Sequence, residues 1–219
     1  MTTWLLVAHI AVLGYWLGAE LVINSTYRYV CYSVEDPFEA RDRLMDHVMH
    51  VDQHVRYALV LQATLGTLLA MQLGYLPGGT SAQAWVILLG GGWLALVELV
   101  HRRRARPVGE RLARADRMLR ALLIALLIAF AAGLFEAGAY LPGWFRWKLT
   151  AFAGVMACGV AIRLVLLRHF ATWREMATNG ASPVLDRQVQ RLYWRATGVL
   201  LLLWGLIALM TFLSVAKPA

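Results

Sequence analysis

The chain has 219 residues, of which 60% are hydrophobic and only 16% charged, with a net charge of +8. Long uncharged runs at that composition exclude a water-soluble globule and predict an all-α, polytopic membrane bundle with no separate soluble domain. Two cysteines without CxxC spacing, Cys31 and Cys158, suggest neither a disulfide framework nor a thiolate metal site.

About six transmembrane helices are predicted, at 4–23, 57–76, 85–100, 119–140, 149–167 and 197–215. The opening Met1-Thr2-Thr3-Trp4 lacks a basic n-region and a small-residue cleavage site, so span one is expected to be retained. Span one carries His9 near its outer end and Glu20 near its inner end. A carboxylate at that depth is costly unless it is paired, protonated or bound to a metal. Gly14 and Gly18 form a small-xxx-small pair expected to let another helix approach.

Asp36-Pro37 with Glu39 is a helix-start signal, and it predicts a helical arm over 37–56 that runs unbroken into span two. At about 100° per residue, Asp46, His47, His50 and His54 share one face of that arm. Three imidazoles on one face at a membrane edge suit a metal or haem; a solvated polar face is the plain alternative. Span three, the shortest, contains Gly90-Gly91-Gly92 and ends in Glu98-Leu99-Val100-His101, which sets a carboxylate and an imidazole one turn apart. Glu20, His47, His50, His54, Glu98 and His101 are therefore the candidate metal ligands, with Glu20, His54, Glu98 and His101 at a common inferred depth and His47 about 10 Å further out on the arm.

The linker 102–120 reads as a surface helix in which Glu110 and Asp116 pair with arginines along the same face. Span four carries Glu136, expected at the depth of His9, and span five carries Arg163 one turn inside its end, where it either snorkels or meets an anionic cofactor group. Asn179-Gly180-Ala181-Ser182-Pro183 marks a hairpin between helical arms, and span six holds no ionisable residue. Trp4, Trp85, Trp144, Trp147, Trp173 and Trp194 flank spans as expected interfacial anchors.

Of the 21 Lys and Arg residues, seventeen fall in the connections one–two, three–four and five–six, and only Arg146, Lys148 and Lys217 on the opposite side. The positive-inside rule predicts N-out, C-out topology in a bacterial-type inner membrane. The basic excess is then topogenic, with Arg102-Arg103-Arg104 set to meet anionic lipid head groups, and nothing asks for a nucleic acid.

His9-Ile10 with Trp16-Leu17-Gly18, and Trp144 with Trp147-Lys148-Leu149, resemble the CopD-type copper-resistance membrane domain and the HemJ-type haem-pathway oxidases. The resemblance covers two helices and implies that His9 takes part in haem binding. His47, His50, His54 and His101 lie outside it. Six histidines are also too few for the eight-histidine boxes of membrane desaturases.

Three functions follow as expectations. The first is a membrane oxidoreductase or electron carrier holding iron, non-haem or as haem b, at the cytoplasmic edge, with copper or zinc as alternatives. For haem, His54 and His101 would be axial ligands; for a non-haem centre, Glu20, His50, His54, Glu98 and His101 would share the coordination. The second is a metal-ion or proton carrier using Glu20, Glu98, His9 and Glu136. The third is a subunit that assembles with other membrane proteins or with copies of itself.

Overall fold

The computed structural model describes residues 2–103 and 106–218. Its elements are α1 (Thr2–Tyr32), α2 (Phe38–Gln72), α3 (Thr80–Arg102), α4 (Pro107–Ala131), the short α5 (Glu136–Ala139), α6 (Gly143–Asn179) and α7 (Pro183–Ala216), with no strand among the described residues. Helices α1, α3, α6 and α7 are each long and apolar enough to cross a membrane. The protein is a multi-pass helical membrane bundle.

The second and fourth predicted spans are shorter as helices than their apolar runs. Helix α2 stops at Gln72, because the chain turns at Gly74, whose φ of 77° few residues other than glycine adopt. Helix α4 stops at Ala131, before Gly133 at the same φ. The apolar helical parts, 57–72 and 119–131, measure about 24 and 20 Å at 1.5 Å per residue, against about 30 Å of hydrocarbon. Span three departs the other way, because α3 starts five residues before Trp85 and runs through all three glycines.

The chain divides into two compact units. The first comprises Met1–Ile23 and His47–Leu119. Within it α2 and α3 meet closely at Gly90, where a Cβ would lie 2.3 Å from Thr64 Oγ1. Gln53 Nε2 donates to the Val97 carbonyl at 3.3 Å and Gln62 Nε2 to the His9 carbonyl at 3.1 Å, so α2 is tied to both neighbours. Gly14 and Gly18 do not behave as expected, since nothing lies within 4 Å of where their Cβ atoms would be. Asp116 does not lie on the surface: it is buried and accepts the Trp93 indole N–H at 3.1 Å.

The second unit comprises Asn24–Asp46 and Arg120–Ala219. Here α6 and α7 pack as an antiparallel pair. Their hairpin follows the sequence signal: Gly180 takes a φ of 85°, Ser182 caps α7 by accepting the Leu185 N–H, and Pro183 fills the first helical position. Arg41 is the centre of this unit. Its side chain is 1% exposed, its Nε donates to the Val30 carbonyl at 2.9 Å, its Nη2 pairs with Asp186 at 3.0 Å, and its guanidinium lies 5.3 Å from the centre of the Trp173 ring. Trp173 in turn donates to Asp42 at 2.8 Å and stacks on His169. Trp173 and Trp144 are buried in the protein, whereas Trp4, Trp85, Trp147 and Trp194 are exposed.

Candidate functional site

Every candidate metal ligand falls in the first unit. Helix α2 presents His47, His50 and His54, all exposed, on successive turns; α3 presents Glu98 and His101 at i, i+3; α1 presents Glu20, which is buried. Two contacts bring α2 and α3 chemistry together. His50 and His101 meet edge to face with ring centroids 5.9 Å apart, and Tyr57 donates its hydroxyl to the Glu98 carboxylate. A third contact joins α1 to α2, because the Tyr15 hydroxyl is hydrogen-bonded to His54 Nδ1, with the Tyr57 ring 6.2 Å beyond His54.

These partners decide which metal chemistry the residues fit. Glu20 accepts the Trp16 indole N–H at 3.2 Å, and Glu98 is engaged by Tyr57 and by Arg102 one turn on. Asp52, beside the stripe, is held by Arg56. Among the described residues no three His, Cys, Asp or Glu side chains converge so as to hold a metal ion. The five-residue non-haem set thus does not close as arranged, because its carboxylates are already satisfied by tyrosine, tryptophan and arginine donors. Haem asks less of the protein: the porphyrin supplies four ligands and one or two imidazoles complete the iron.

For that role His54 is the best placed. A ligating histidine has one ring nitrogen fixed by a hydrogen bond, so that the other keeps its lone pair. Tyr15 holds Nδ1 of an exposed ring, which fits this pattern. His101, the other axial candidate from the sequence, lies against His50 instead. His47 is exposed on the arm.

The remaining candidates are dispersed. His9 is in the first unit, where its ring packs 3.2 Å from the Cβ position of Gly66 on α2. Arg163, half-buried on α6, and Glu136, exposed at the start of α5, belong to the second unit. Of the basic triplet, Arg102 is taken by Glu98, Arg103 is exposed, and Arg104 lies outside the described residues.

Nothing in the hydropathy or charge pattern marks the tyrosines that organise the site, or His169. That histidine is fully buried in the second unit, with Nδ1 hydrogen-bonded to the Tyr27 hydroxyl at 3.0 Å and its ring stacked at 5.2 Å on Trp173. Its place in the α6 stripe Arg168, His169, Thr172, Trp173, Met176 was the available signal, since the last four follow a helical period and all are buried.

Together these features define a class, a multi-pass membrane protein with an imidazole–tyrosine–carboxylate cluster at one end of an α1–α2–α3 unit. No family model, curated protein or solved structure matches the chain, so the likeness of spans one and five to CopD-type and HemJ-type proteins rests on its motif residues alone.

Proposed function

We propose that the protein binds an iron cofactor at the cytoplasmic edge of its first unit, most simply a haem b held by His54, and serves in membrane electron transfer or oxidation. The observation that carries this reading is the Tyr15–His54 hydrogen bond on an exposed imidazole. With the Nδ1–H donating to Tyr15, Nε2 is left as a neutral nitrogen ligand, and the tyrosine fixes the ring's orientation. His50 and His101 supply a neighbouring imidazole pair for a second ligand or for a proton. Arg103, exposed just past the end of α3, is available for an anionic group of the cofactor. Bound there, iron would supply one-electron chemistry.

The test is iron content and absorption spectrum of protein purified from cells supplied with iron and a haem precursor. His54→Ala should lose the cofactor, because bulk water cannot replace that ligand at the membrane edge. His47→Ala should keep it. Folded protein that carries no iron under these conditions would overturn the reading, and loss of iron in His9→Ala but not in His54→Ala would move the site to the opposite leaflet. Copper or zinc in its place would keep the site and change the chemistry.

One observation favours the second reading, a proton or metal-ion carrier: Tyr57, Glu98 and Arg102 form a continuous hydrogen-bonded chain beside His54. Protein in vesicles that acidifies the lumen, and stops doing so in Glu98→Gln while binding no iron, would select it.

A further inference from the structure

We infer that a basic cleft between α6 and α7 binds the phosphate head group of an anionic membrane lipid. The cleft encloses about 440 Å³ and lies wholly within the second unit. Arg168, Thr172 and Glu175 line it from α6 at i, i+4, i+7, and Gln188, Arg191 and Arg195 line it from α7 at i, i+3, i+7, so each helix gives one face to the same space. Gln188 Nε2 donates to Thr172 Oγ1 at 2.9 Å, which ties the two walls together over the buried Leu192.

The charge in this cleft is not compensated. Three guanidiniums face one carboxylate, Glu175, leaving a local excess of two positive charges (three minus one). Arg191 and Arg195 are also a like-charge i, i+4 pair, an arrangement that repels unless an anion sits between them. Among the described residues no ion pair engages Arg168, Arg191 or Arg195. The neighbouring Arg174 and Arg187, by contrast, turn back onto carbonyls of their own helices, at Phe170 and Pro183.

The position of the cleft selects a lipid over a soluble anion. The apolar run of α6 ends at Leu167, next to Arg168, and that of α7 begins at Thr197, two residues after Arg195. The cleft therefore opens at the level where phosphodiesters of a bilayer lie, with Leu192 as an apolar floor. Guanidiniums pair with phosphate oxygens through two N–H groups each, and Glu175 and Gln188 offer acceptors to head-group hydroxyls. A singly charged phosphodiester with a hydroxylated head group satisfies all of these at once, and a second negative charge would meet Glu175.

The experiment is lipid retention by the full-length protein in neutral detergent, read by native mass spectrometry with phosphatidylglycerol against phosphatidylcholine. The wild type should retain phosphatidylglycerol preferentially. Arg195→Gln should weaken that preference about fivefold, and the triple variant R168Q/R191Q/R195Q by on the order of a hundredfold. R174Q/R187Q, which changes as many as two arginines of the same arms outside the cleft, should retain it. Equal retention by wild type and by Arg195→Gln overturns the proposal, and that comparison stands even if the triple variant fails to fold. Displacement of the lipid by millimolar inorganic phosphate would assign the cleft to a free anion and overturn the lipid source.

Discussion

Arg41→Met should destabilise the second unit more than a change at almost any other charged residue. The methionine keeps the aliphatic bulk but removes three interactions. The first is the pair with Asp186, whose side chain is itself only 13% exposed. The second is the hydrogen bond to the Val30 carbonyl, in the last turn of α1, where the Val34 N–H has turned to Tyr32 and no helical partner remains. The third is the stacking over Trp173. Breaking a buried pair by removing one partner costs about 3–5 kcal/mol, since it strands the other charge, and the partial exposure of Asp186 places the expected loss near 3 kcal/mol. For a chain of this size that corresponds to roughly 10 °C in the thermal unfolding of detergent-solubilised protein, followed by tryptophan fluorescence. Arg41→Met combined with Asp186→Asn should recover part of the loss, whereas Arg43→Met, at an exposed position, should be nearly silent. A midpoint for Arg41→Met within about 1 °C of wild type, or strictly additive effects in the double variant, would refute the reasoning.

Three other outcomes are expected. Burial pushes the His169 imidazole down from its usual value to about 4, so the unfolded chain takes up a proton first as the pH falls. Stability from this residue is complete above about pH 6.5 and is lost toward pH 4; the unfolding midpoint should fall across that window and the fall should flatten in His169→Gln. Gly90→Ala should cost about 1–3 kcal/mol, because the new methyl meets the Thr64 hydroxyl, which is itself bonded to the Val60 carbonyl; Thr64→Ala, which removes the two nearest atoms, should recover part of the loss, and no recovery would mean that α2 and α3 do not meet there. Reporter fusions at Gly79 and Glu110 should read outside and inside the cell, respectively; the reverse would invert the proposed depth of the His54 site.

Much of the helical framework is written locally. The apolar runs place the long helices, Asp36-Pro37 precedes the start of α2 at Phe38, and Asn179 to Pro183 marks the α6–α7 turn through a glycine, a cap and a helix-starting proline. What was illegible depends on pairing across long separations. Arg41 reads in sequence as one more charge on a wet arm beside Arg43, and only the return of the chain at Asp186 and Trp173 buries it. Asp116 reads as a partner for neighbouring arginines, and only α3 brings Trp93 to it. The candidate ligands show the same limit. Periodicity sets His50 and His54 on one face of α2 and Glu98 with His101 on one face of α3, but it carries no information that Tyr15 and Tyr57 reach His54 and Glu98 first.

The length of the α6–α7 pair has a practical use. At 37 residues α6 is about 55 Å long, so roughly 25 Å of unbroken helix extends past what a hydrocarbon core of about 30 Å can cover. The two helices end in a tight, exposed turn and are braced below it by the Thr172–Gln188 bond. A small helical protein spliced in place of the turn, with both junctions kept in helical register, would be carried as a stiff lever instead of a swinging tag. That gives a 24.5 kDa target a fixed mass outside the micelle by which single particles can be aligned in electron micrographs.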